Sequence, residues 1–113
     1  MAEETGKALL MVRTNVKAGG EEAFNEWYSN VHLPEIVEVP GIRWGRRYQL
    51  SGSDTYPKSE EDLTYLAIYE LDDEGVLDGS KFAEAKGWSP EVEGLPEDTQ
   101  VAVFSLLAAE EEK

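Results

Sequence analysis

Apolar residues in this chain pass from the alternation of a strand to the three- and four-residue spacing of a helix and back, twice, within 113 residues. The first alternating stretch is 8–16 (ALLMVRTNV), rich in β-branched and apolar residues. Ala18, Gly19 and Gly20 break it. From Glu21 the spacing is helical, with Phe24, Trp27, Tyr28 and Val31 on one stripe. Glu21 and Glu22 sit at the start of that helix, where its dipole favours acids. Pro34 has no N–H to give, so a helix to Val31 is expected to kink at His32 and Leu33. A short second piece over 34–39 then ends at Pro40-Gly41. Residues 42–50 (IRWGRRYQL) alternate again, with Ile42, Trp44, Arg46, Tyr48 and Leu50 expected on one face. A polar loop, 51–62, leads to a third strand over 63–71. Asp72 and Asp73 can cap the next helical segment. Apolar residues between Val76 and Trp88 suggest a second helix, weakened by Gly75 and Gly79. A loop with two prolines precedes a last strand over 99–107, and an acidic tail ends the chain.

The order is therefore βαββαβ. It predicts one α+β domain over 1–113, a ferredoxin-like four-stranded antiparallel sheet with two helices on one face. Strand 63–71 is apolar on both faces, with Tyr65, Ala67 and Tyr69 on one and Leu66 and Ile68 on the other. The first strand behaves alike. An apolar sheet face left in water is a patch that soluble monomers rarely keep, so a second copy packed face to face is expected, as a homodimer.

Composition narrows the partners. Lys and Arg number 10 against 24 Asp and Glu, a formal net charge of -14. Such a chain repels phosphate backbones and anionic bilayers, so neither nucleic acid nor membrane is an expected partner. There is no Cys, hence no disulfide framework or thiolate nucleophile. The N-terminal residues lack the basic region of a signal peptide, and a cytoplasmic location is expected. A lone His without Cys cannot supply the usual zinc sets, and no Gly-rich phosphate loop is present. No cofactor is expected.

The segment EWYSNVHLPEIVEVPGIRWGRRYQL resembles the signature of the dimeric α+β barrel superfamily, closest to EthD-like proteins. The matching features are Trp27-Tyr28, His32, Pro34, Pro40-Gly41 and Arg47-Tyr48, and YLAIYEL fits the third strand. The resemblance implies a dimeric α+β barrel. That superfamily includes monooxygenases, polyketide cyclases, hydroxynitrile lyases and haem-degrading enzymes, so the fold does not choose the reaction.

His32 is the only histidine, and it comes after the helix beside the Pro34 kink. It can move a proton near neutral pH, or it can simply pack or cap the helix. It matches the His of the EthD-like pattern, which favours a site role. Glu35, three residues on, is positioned to orient it; its other reading is an acid favoured by a helix N-terminus. Tyr48 and Tyr69 are candidates to bond a carbonyl or enolate oxygen. Trp27, Tyr28, Trp44, Tyr65 and Trp88 are candidates to line the pocket, though most large aromatics serve as core. Arg47, opposite Tyr48, is expected to meet a partner subunit or an internal ion pair. Asn25 reads as surface. The resulting expectation is a cofactor-free lyase, cyclase or isomerase acting on a small hydrophobic carbonyl or aromatic compound, with His32 as acid or base. The alternatives are a non-catalytic small-molecule-binding protein and a cofactor-free monooxygenase.

Overall fold

A computed structural model of the chain describes residues 5–59 and 63–110. Parts of the polar leader, of the 51–62 loop and of the acidic tail lie outside the described residues. Strand β1 (Ala8–Val16) leads into α1 (Glu21–Trp27), a π-helical turn (Tyr28–His32) and α2 (Leu33–Val37). Strands β2 (Ile42–Gln49) and β3 (Tyr65–Leu71) come next. A 3₁₀ turn (Glu74–Asp78), α3 (Ser80–Ala85), a second 3₁₀ turn (Pro90–Val92) and β4 (Pro96–Ser105) complete the order. The sheet runs β2-β3-β1-β4, antiparallel throughout. This is the ferredoxin-like α+β arrangement, with the helices on one face.

Three local departures from the sequence expectation matter for the site. The helix continues through His32 and Leu33, both with helical backbone angles. It widens over the preceding turn, and the Leu33 N–H reaches back five residues to the Tyr28 carbonyl. A proline ring clashes with the carbonyl four residues before it, and a widened turn carries Asn30 out of that clash. The second helix is shorter than expected. Gly79 separates the 3₁₀ turn from α3, and Lys86 is already extended, because glycine holds helical backbone poorly. Asp73 does cap this region, its side chain accepting from the Gly75 N–H at 2.8 Å.

The third departure is a bulge in β2 between Ile42 and Trp44. Strict alternation places these two side chains on the same face; the bulge puts them on opposite ones. Ile42 pairs with Leu71 and is buried under the helices, whereas Trp44 pairs with Glu70, Arg46 with Ile68 and Tyr48 with Leu66. Trp44, Arg46 and Tyr48 therefore point to the outer face. Gly45 and Arg47 take the helix-facing positions, opposite Tyr69 and Ala67.

The core lies between helices and sheet. Phe24, Trp27, Tyr28 and Ile36 pack down on Leu10, Ala67, Tyr69 and Leu71. Burying each large side chain stabilises the fold by ~1.5–3 kcal/mol. β4 reaches beyond this helix layer, so its helix-side residues Val101 and Val103 remain exposed.

Candidate active site

The gap between the helix layer and the overhanging β4 is a cavity of about 460 Å³, within the range of small-molecule sites. Its floor is Leu10 and Val12 of β1 with Tyr69 of β3. One wall is Tyr28, His32 and Ile36, and the facing wall is Thr99, Val101 and Val103 of β4. Leu77, Phe82, Lys86 and Trp88 close the remaining side.

His32 is 5% exposed although it carries a titratable ring. The Trp27 ring stacks on it nearly parallel at 4.6 Å, and Tyr28 meets it edge-on at 4.9 Å. Trp88 lies 6.2 Å away. The widened turn makes this clamp possible, because it brings His32 onto the same face as Trp27 and Tyr28. Glu35 Oε1 is 3.5 Å from His32 Nδ1, and the Glu35 side chain is 54% exposed. Burial pushes the imidazole below the ordinary value of 6.5, with Glu35 opposing that shift. The ring is therefore neutral near pH 7, and a neutral imidazole can accept a proton.

Tyr28 and Tyr69 share a buried hydrogen bond of 2.9 Å between their hydroxyls. Burial raises both phenols above the ordinary 10.0, so both keep their protons. Only one of the two O–H groups is used within the pair; the other is free to donate elsewhere. Gly45 makes room for this arrangement. A Cβ there would lie 2.8 Å from Tyr69 Cδ1 and 2.9 Å from Val37 Cγ2.

Arg47 stands behind the tyrosines. Its Nη1 donates to Ser29 Oγ at 2.9 Å and its Nη2 to Asn25 Oδ1 at 3.0 Å. Its guanidinium lies 4.5 Å from the Tyr28 ring centroid, and its buried Nε has no hydrogen-bond partner. Asn25 Nδ2 in turn donates to Tyr65 Oη at 3.2 Å. The expectation that Arg47 meets a partner subunit or an internal ion pair is corrected: it faces its own helix layer and holds Asn25, Ser29 and Tyr28. Asn25, read as surface, is half-buried in this cluster. Its signal in the sequence is its position one helical turn before Tyr28.

The structure thus brings His32, Tyr28, Tyr69 and Trp88 to one cavity, with Trp27 stacked on His32 and Glu35 beside its Nδ1. Tyr65 belongs to the Asn25 and Arg47 cluster and does not line the cavity. Tyr48 and Trp44 are on the other side of the sheet, so neither reaches a ligand bound beside His32. Val101, Val103 and Phe82, on cavity walls, have no distinguishing mark in the sequence. Among the described residues no cluster of His, Cys, Asp and Glu could hold a metal ion, and no helix is long and apolar enough to cross a membrane.

No family model and no curated protein matches the chain. Solved structures do. The heme-degrader MhuD from Mycobacterium tuberculosis, with two hemes bound in its active site, aligns with a TM-score of 0.63 at 9% identity, over 92% of this chain and 99% of that one. An ethyl tert-butyl ether d (EthD) family protein from Bacillus halodurans aligns with a TM-score of 0.57 at 15% identity, over 88% and 99%. A candidate antibiotic biosynthesis monooxygenase from Nitrosomonas europaea aligns with a TM-score of 0.57 at 18% identity, over 95% and 96%. At these identities the likeness is one of fold. The chain shares a ferredoxin-like α+β fold with these proteins, an EthD family protein among them.

Proposed function

We propose that the cavity takes up a small, mostly apolar organic molecule with a carbonyl or phenolic oxygen, and that His32 removes a proton from it. The observation that carries this reading is a buried, neutral imidazole on the wall of a cavity of about 460 Å³, beside a buried pair of protonated tyrosine hydroxyls. Proton removal leaves negative charge on the ligand oxygen. The free O–H of the Tyr28 and Tyr69 pair is the donor that offsets that charge, in surroundings where a hydrogen bond counts for more than in water. Glu35 supports the imidazolium formed on His32. No cofactor is needed for these steps.

For the carbanion's onward reaction, the neighbours favour oxygenation over the lyase and cyclase chemistry expected from sequence. A monooxygenase assignment attaches to one of them, and none carries a lyase or cyclase name. The balanced conversion is that of an activated methylene and dioxygen to a carbonyl and water, CH2 + O2 → C=O + H2O. Dioxygen is the oxidant and His32 the base.

The outer face of the sheet belongs to the same proposal. Leu9, Met11, Leu66, Ile68 and Phe104 line it with Trp44 and Tyr48, and a second copy of the chain covers it, sheet to sheet.

The test is oxygen uptake on a panel of phenolic and benzylic carbonyl compounds, with wild type and His32→Gln side by side. Uptake by the wild type alone, with matching carbonyl formation, is the expected result. Ligand-dependent thermal stabilisation without turnover would move the protein to the non-catalytic binding reading.

A further inference from the structure

Among the described residues Lys86 is the one Lys or Arg side chain on the cavity wall, and no Asp or Glu lines it. This stands out in a chain where acids outnumber Lys and Arg by 24 to 10. Its position is fixed by the backbone on both sides. Lys86 closes α3, its N–H donating to the Phe82 carbonyl at 2.9 Å. Gly87 then turns the chain with φ +100, a conformation that glycine adopts without strain. That turn returns Trp88 to the aromatic cluster, 5.7 Å from Phe24 and 6.2 Å from His32. Lys86 and Trp88 thus stand side by side on the wall of the same cavity. No carboxylate among the described residues pairs with Lys86.

A cation on a flexible stem beside an apolar hollow serves a ligand with an apolar body and one negative charge. A neutral ligand would gain nothing from it. Elsewhere the field of this chain repels anions, so a local cation is needed for one to settle at the mouth. From this geometry we infer that the ligand is a monoanion: an aromatic or alicyclic carboxylate whose charged group pairs with Lys86 while its apolar body fills the hollow beside His32. This rests on the reading of the cavity as a small-molecule site and names the class of molecule it takes. Lys86 is a specificity residue in this scheme and takes no part in the proton transfer.

The experiment is isothermal titration calorimetry of the full chain with a matched pair of probes, 6-hydroxy-2-naphthoate and its carboxamide, at low and high salt. Wild type is expected to bind the carboxylate about fivefold more tightly than the amide, the size of one partly exposed charge pair. Raising the salt should erase that preference. Lys86→Gln should lose the preference with the amide unaffected, and Lys86→Arg should keep it. Equal binding of both probes by wild type, or an equal loss of both in Lys86→Gln, would overturn the role of Lys86 and leave the cavity reading in place. Binding of neither probe by wild type would overturn both. Because Lys86 is exposed, its substitution leaves the core packing untouched.

Discussion

At the scale of single residues, the site depends on buried polar groups that are paired only with each other. The Tyr28 and Tyr69 hydroxyls show this most clearly. Replacing one by Phe leaves the other buried without its partner, a cost of ~1–3 kcal/mol, whereas replacing both removes the demand as well as the bond. Tyr69→Phe and Tyr28→Phe should each lower the urea midpoint, and the double variant should lose less than the sum of the two. Strictly additive losses would mean that the hydroxyls do not depend on one another. Much of this wall was legible in the sequence. Trp27, Tyr28, His32 and Pro34 sit within one short stretch, so the residues of the wall were legible, whereas the widened turn that sets His32 against Trp27 was not. The partners of Arg47 were not legible, because apolar and polar alternation says which face a residue takes but not what waits there.

At the scale of elements, one extra residue in β2 decides which aromatics belong to the site. A bulge leaves no mark in hydrophobic pattern when it falls between two apolar residues such as Ile42 and Trp44, and strict alternation then carries Trp44 and Tyr48 to the wrong face. The type of each main element was readable from its period, since burial enforces it. The widened turn before Pro34 was readable only as a break, since proline forbids regular helix without choosing the alternative. Gly45 ties β2 to the site. Gly45→Ala would place a Cβ 2.8 Å from the Tyr69 ring, and such overpacking costs ~1–3 kcal/mol. The expected outcome is a lower melting temperature together with weaker ligand binding, as Tyr69 is displaced. Unchanged stability and affinity would show that the ring has room to move.

At the scale of the whole molecule, the chain is a slab of 46 × 40 × 20 Å with a radius of gyration of 15.3 Å. A chain of this length packed as a compact globule has a radius of about 13 Å. The difference lies in a single sheet covered on one side, with β4 extending past the helices and an apolar outer face. The proposed second copy on that face would account for both the shape and the pattern that suggested a pair from sequence. Met11→Lys places a charge in the middle of the outer face and nowhere near the cavity. Light scattering should give twice the chain mass for the wild type and a single chain mass for this variant, with helix and strand content retained. A monomeric wild type at micromolar concentration would contradict the pairing.

Proton removal by His32, the step proposed for this cavity, is measured by hydrogen–deuterium exchange without knowledge of the natural substrate. 2-Tetralone, a small apolar ketone with acidic methylene protons, is the probe, monitored by NMR in D2O. Wild type should accelerate exchange at the methylene about tenfold or more over buffer, a modest fraction of what a positioned base contributes. His32→Gln should not. Because burial holds the imidazole below 6.5, the rate should be flat around neutrality and fall only as pH drops through that lowered value, where the base takes up its own proton. Equal exchange in wild type and His32→Gln, with the ketone bound to both, would contradict the account.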